Sequence, residues 1–182
     1  MIFYFFPLPL AMRVYRHIGD VGMVLSLQLI QDIEDQKLLT GYVAMFLKDF
    51  DAAQDWFLKS SKPIAALHMR RDLLQWDQAL HLAGKLAAEE IPYIAREYAQ
   101  QLEFLGNYTE ALTHYERGLL ESQPGDPNRE THNVQCRAGI ARMAIRCGDV
   151  RRGVSLAADM PSSRQLKREC AEILESMKVN VC

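Results

Sequence analysis

The sequence has no surplus of charge of either sign. Its 21 Lys and Arg side chains face 23 Asp and Glu, a formal net charge of −2. Such a surface cannot neutralise a phosphate backbone, which excludes nucleic acid as an expected partner. Long hydrophobic runs are missing too. The most apolar stretch, MIFYFFPLPL at residues 1–10, falls well short of the ~20 residues that cross a bilayer, so direct membrane insertion is not expected. It also lacks the basic start and small-residue cleavage site of a signal peptide. Pro7 and Pro9 argue against a helix there. Residues 1–10 are therefore expected to form an atypical segment that packs on, or hangs from, the first helix.

None of the four cysteines, Cys136, Cys147, Cys170 and Cys182, forms a CxxC pair. With 182 residues and 49% hydrophobic side chains, the chain can build a core without disulfide staples, so reduced thiols in a cytosolic setting are expected. The motifs of catalysis are absent as well. There is no GxSxG, no HExxH and no Walker loop, and the five histidines (17, 68, 81, 114 and 132) are scattered. No enzymatic activity and no cofactor are expected. His132 and Cys136 are four residues apart and share a helix face, which is ligand-like spacing, but no third or fourth ligand is evident nearby. They are read as helix-lining residues at a repeat junction, and no metal is expected.

Alternating apolar and polar runs, the mark of strands, are also missing. Spacing of i, i+3, i+4, i+7 recurs instead, which predicts an all-α protein of about ten or eleven helices, each roughly 11–17 residues long. Gly19, Gly106 and Gly148 stand where a left-handed residue would end a helix, and each precedes a polar residue, Asp20, Asn107 or Asp149. Asn107 with Glu110, and Asp51 with Gln54, fit capping boxes. Pro63 and Pro92 suit first turns, and Pro161 suits a stop.

The stretch GNYTEALTHYERG, Gly106 to Gly118, supplies a template: Gly106, Tyr108, Ala111, Tyr115 and Gly118. The Asn107-Tyr108-Thr109 sequon within it falls on a tight turn and is read as accidental. Copies of the template run Lys48, Phe50, Ala53, Phe57 and Ser60; then Leu74, Trp76, Ala79, Ala83 and Leu86; then Gly148, Val150, Gly153 and Ala157. A weaker copy holds Gly19, Val21, Val24 and Gln28. The anchors at 21, 50, 76, 108 and 150 are separated by 29, 26, 32 and 42 residues, the last gap inflated by a polar loop at 122–132. The large residue after each turn fills the space inside a helical hairpin, and the small residue three positions on admits the partner helix. The aromatic a turn later packs against the next unit. Gly41, Ala66, Ala99 and Ala141 are the matching small residues on the first helices. Such hairpins bury their faces only by stacking, which predicts a right-handed α-solenoid over residues 11–178, with a tail at 179–182. Trp56, Trp76, Tyr93, Tyr98, Tyr108 and Tyr115 all sit at core spacing.

The template resembles the tetratricopeptide repeat (TPR). Longer strings, among them AMRVYRHIGDVGMVLSLQLIQDIED, IPYIAREYAQQLEFLGNYTEALTHYERG and CRAGIARMAIRCGDVRRGV, resemble the WD-repeat subunits of intraflagellar transport complex A from roughly Ala11 to Lys178. Those proteins carry amino-terminal propellers and a long helical half, and this chain resembles the helical half. The resemblance implies a non-catalytic scaffold for retrograde ciliary transport, cilium assembly and entry of membrane receptors into cilia. Its partners would be other complex A subunits, with transport-train and receptor-delivery adaptors. Its location would be the cytoplasm, the ciliary base and the axoneme. Alternatives are a peptide-binding TPR adaptor and a coat-like membrane-trafficking scaffold. The first would want a repeated basic ladder on the first helices, which carry Glu34, Met45, Ala65 and Glu97 instead. The charged clusters at Arg70-Arg71-Asp72 and Arg164 to Glu169 read as solvated faces. Arg151 and Arg152 replace Thr109 and Glu110 of the close copy, reversing charge inside a repeat signature, which makes them the candidate partner surface.

Overall fold

The computed structural model describes residues 7–121, 126–160 and 164–179. Eleven α-helices occupy them: α1 (Leu8–Ile18), α2 (Val21–Ile30), α3 (Gln36–Phe46), α4 (Phe50–Leu58), α5 (Ile64–Asp72), α6 (Trp76–Leu86), α7 (Ile91–Leu105), α8 (Tyr108–Arg117), α9 (Pro127–Arg146), α10 (Val150–Asp159) and α11 (Arg164–Val179). A 3₁₀ turn, Ala88–Glu90, leads into α7. No strand occurs among the described residues, and the fold is all-α and TPR-like.

One turn recurs five times. Gly19, Lys48, Leu74, Gly106 and Gly148 have φ of 84°, 64°, 57°, 83° and 94°. They occupy the first position of the five template copies, and the helix after each begins at the anchor two residues later. In every case the left-handed residue donates its N–H to the carbonyl three back, and the next residue donates to the carbonyl five back (Asp20 to Tyr15, Asp49 to Ala44, Gln75 to Arg70, Asn107 to Leu102, Asp149 to Ala144). That pattern is the Schellman motif, which satisfies the orphan carbonyls at a helix end. Asp20, Asp49 and Asp149 then cap the following helix through their carboxylates.

The chain divides into two compact units at Met69 and Arg70. In the first, α1 packs on α2 and α3 on α4. Leu8, Leu27, Ile30 and Leu39 form one core cluster. Phe57 is fully buried and crosses Tyr42 edge-on at 5.0 Å between ring centroids. A Cβ at Gly41 would stand 2.6 Å from the Phe57 ring, so the absence of a side chain there lets α4 close on α3. In the second unit α7 packs on α8 and α9 on α10, with α6 beside α7, α8 beside α9, and α11 against α9 and α10. Ala99, Leu102, Ala111, Tyr115, Ile140 and Met143 form one cluster there. Ala141, Ile145, Ala157, Leu166, Cys170 and Ile173 belong to another.

Several local expectations are corrected. Helix α1 begins at Leu8 despite two prolines, because Pro9 falls in the first turn, where its missing N–H has no partner to lose. The cap of α4 is Asp49, which accepts from Ala52 N at 3.1 Å, and Asp51 lies inside the first turn. Asn107 does not cap α8 with its side chain; its Nδ2 donates to Glu110 at 2.8 Å. Helix α9 begins at Pro127, inside the stretch expected to be loop, because Asp126 caps Asn128 and Arg129 and Pro127 takes the first helical position. Helix lengths run wider than expected, from nine residues in α4 and α5 to 20 in α9. Trp56 is 40% exposed, with the Lys59 ammonium over its ring, rather than a core residue. Pro161 and Cys182 lie outside the described residues.

Candidate interaction surfaces

The residues singled out for packing divide into three groups. Ala53, Phe57, Trp76, Ala79, Ala83, Ala111, Tyr115, Gly153 and Ala157 are buried. Phe50 and Tyr108 are half-buried, and Val150 is exposed. Gly106 and Gly148 lie in the exposed turns. Gly153 is a contact position, since a Cβ there would stand 2.6 Å from the Ala141 carbonyl oxygen. Trp76 stacks on Tyr98 at 5.8 Å and donates its indole N–H to Gln101.

The candidate partner surface, Arg151 and Arg152, lies in the first turn of α10, and both side chains are exposed. Arg152 reaches Glu116 of α8 at 2.5 Å, so one of the two charges is also engaged within the protein. At 44% and 42% side-chain exposure this pair is open to solvent and contributes little to stability.

A second set of charges corrects the reading of Arg70-Arg71-Asp72 as a solvated face, since Arg70 is buried and Arg71 is drawn into ion pairs between helices. These charges join the first helices of successive hairpins. Arg71 of α5 forks onto Glu97 of α7 at 2.7 and 2.5 Å, with Glu90 at 3.4 Å. Glu103 of α7 receives Arg142 of α9 at 2.7 and 3.0 Å, and Arg142 also reaches Glu169 of α11 at 3.3 Å. The phenol of Tyr115 donates to Glu103 at 2.6 Å. Burial alone would lower the Arg142 pKa, but the Glu103 hydrogen bond and charge outweigh it and raise it. Burial, then the Glu103 hydrogen bond, raises the Tyr115 phenol. Partners here are 26, 39 and 27 residues apart, and only the repeat register, which brings first helices side by side, could have suggested them.

The junction of α8 and α9 is built on His132. Its Nε2 lies 2.7 Å from the Gly118 carbonyl, so Nε2 carries the proton and Nδ1 is left to accept from Arg96 at 3.2 Å. Asn133 closes both backbone groups of Leu120 at 2.8 and 2.9 Å. Cys136 lies 3.5 Å from Nε2, and burial pushes its thiol up to about 11. Among the described residues no three His, Cys, Asp or Glu side chains are grouped to hold a metal ion. No described helix is long and apolar enough to cross a membrane.

Residues 5–112, more than half of the chain, match the family described as the IFT80/172/WDR35/WDR19 TPR domain. The chain belongs to this family. This IFT80/172/WDR35/WDR19 TPR chain is 57% identical over 168 residues to WD repeat-containing protein 19 of Homo sapiens, and 55% identical over 168 residues to its namesake in Mus musculus. It is 47% identical over 169 residues to WD repeat-containing protein dyf-2 of Caenorhabditis elegans. These alignments take in 92–93% of the chain but only 12% of each relative. The family match runs from α1 into α8 and so includes four of the five Schellman turns.

Proposed function

We propose that the chain is a non-catalytic protein–protein interaction scaffold of intraflagellar transport complex A. In that role it supports retrograde ciliary transport, cilium assembly and the entry of membrane receptors into cilia, from the cytoplasm, the ciliary base and the axoneme. The observation that carries this reading is the 57% identity across 92% of the chain to WD repeat-containing protein 19. The geometry is in keeping with it. The guanidiniums of Arg71 and Arg142, on the first helices, are engaged by Glu97 and Glu103 rather than standing as a basic ladder for a peptide carboxylate. A scaffold of this kind works by area, with binding energy concentrated in a few anchors.

The partners proposed are the other complex A subunits, and beyond them transport-train and receptor-delivery adaptors. The test is capture of the chain by purified complex A subunits against a panel of short peptides. Retention by one or more subunits is expected; binding to peptides alone would favour the adaptor reading. Arg151 and Arg152 are proposed as part of the contact. Changing both to Glu should weaken capture, and capture unaltered by the double change would remove them from the interface.

A further inference from the structure

Among the described residues three arginines join neighbouring first helices, and two of them offer the same edge of the guanidinium. Arg71 gives Nε and Nη2 to Glu97 at 2.7 and 2.5 Å. Arg142 gives Nε and Nη2 to Glu103 at 2.7 and 3.0 Å. In each the remaining nitrogen, Nη1, turns to a further carboxylate, Glu90 or Glu169. Arg96 of α7 differs. Its Nη1 donates to Gln135 of α9 at 2.6 Å and to Nδ1 of His132 at 3.2 Å, both neutral acceptors. Its Nε is closed off from solvent and has no hydrogen-bond partner among the described residues. Nη2, on the same edge, has no such partner either but is not closed off. No described carboxylate forms an ion pair with this guanidinium.

The contrast lies within one seam. Arg96 and Glu103 are seven residues apart on α7, as are Gln135 and Arg142 on α9. Both pairs are therefore rungs between the same two helices, about two turns apart. One rung is an ion pair. The other sets a guanidinium against an amide. A buried N–H without an acceptor is costly and calls for an explanation. The edge carrying Nε and Nη2 is shaped for two-pronged recognition of a carboxylate, as Arg71 and Arg142 show. The other side chains bonded or stacked here carry no charge. Tyr93 crosses the His132 ring at 4.6 Å between centroids, and burial, with the Arg96 charge, keeps His132 neutral. One positive charge among neutral groups suits a single carboxylate rather than a phosphate, which draws several donors. Beside Gln135 on α9, Thr131 and Val134 are also exposed, Val134 by 43%, and give a protein chain a surface to lie on.

We propose that the Nε–Nη2 edge of Arg96 is a recognition point for an Asp or Glu side chain of a partner protein laid against the α7–α9 seam. Nη2 is the end of the edge that the carboxylate reaches first. That the occupant is a protein rests on the scaffold reading; the site is tested without any complex A subunit, so the two can fail separately. Heteronuclear NMR of the arginine Nε–H signals in the full chain reads it, with the Arg96 signal assigned by its loss in Arg96→Lys. The probe is N-acetylglutamate N-methylamide, one carboxylate in a peptide setting, titrated against sodium chloride at equal ionic strength. The expected result is a saturable shift of the Arg96 signal while those of Arg71 and Arg142, whose edges are taken, stay in place. No shift, a shift matched by chloride, or equal shifts at all three arginines would each overturn it. Inorganic phosphate acting at lower concentration than the glutamate probe would overturn the assignment to a carboxylate. Gln135→Glu sets a carboxylate of the chain's own against Arg96 and should weaken the response several-fold. An undiminished response in that variant would place the probe elsewhere and also overturn the proposal.

Discussion

Gly148 and Gly153 are five residues apart and are glycine for different reasons. Gly148 has φ 94°, and a Cβ there would meet nothing within 4 Å. Its constraint is backbone conformation alone, and Gly148→Ala should lower stability by about 1 kcal/mol. Gly153 is an ordinary helical residue whose Cβ would strike the Ala141 carbonyl oxygen and Ile145. Gly153→Ala should therefore cost about 1–3 kcal/mol, as overpacking does. Lys48 reverses the first case: it holds φ 64° with a side chain. Lys48→Gly should raise stability by about 0.5 kcal/mol, since the relief of left-handed strain exceeds the added unfolded-state entropy. Urea midpoints at constant m value check all three. Gly19, Gly106 and Gly148 announce their turns by residue type. Lys48 and Leu74 do not, and only their register with the other copies reveals them, because a Schellman turn can absorb the strain of a side-chain-bearing residue.

At the scale of the helix, the boundaries after left-handed residues were legible because a turn needs particular residues in a fixed order. Long-range pairing was not. Asp35 is an instance: its Oδ1 caps α3 at Lys37 N, 2.8 Å, while its Oδ2 accepts from Ser61 N at 2.6 Å, beyond the end of α4. Asp35→Ala removes both and should lower the urea midpoint at constant m value. Glu103 and Arg142 are likewise joined only by packing of α7 against α9. Both side chains are 22% exposed and the contact is a two-pronged fork, so it should exceed an open surface pair. A double-mutant cycle with Glu103→Gln and Arg142→Met should return a coupling of about 1–2 kcal/mol. A coupling below about 0.3 kcal/mol would place the pair with ordinary surface salt bridges.

Across the molecule the two units carry different titratable groups, and their responses to acid separate accordingly. In the second unit burial, then the neighbouring Arg117, lowers the pKa of His114. Burial also lowers His132, with the Arg96 charge acting in the same direction and the Gly118 carbonyl against it. A histidine whose folded pKa lies below its unfolded value of 6.5 binds fewer protons folded than unfolded. Its contribution is complete above pH 6.5 and is lost as pH falls through the folded pKa. In the first unit the hydrogen bonds from Ser61 are the foremost cause holding Asp35 at about 2, against an ordinary 3.8. That contribution is complete above pH 3.8 and is lost only as pH falls towards 2. Amide protection should therefore weaken first around the α8–α9 junction, at Gly118 to Leu120 and the opening turns of α9, as pH drops from 6.5 to 5. The first turn of α3 should hold its protection until below pH 4. Protonation of His132 places a second donor at Nδ1 opposite the Arg96 guanidinium, the reverse of what that contact needs. His132→Gln, which keeps a donor for Gly118 without the titration, should flatten the response of the junction between pH 6.5 and 5 and leave α3 unchanged. Equal loss of protection in both regions over that interval would show that the histidines do not set the order.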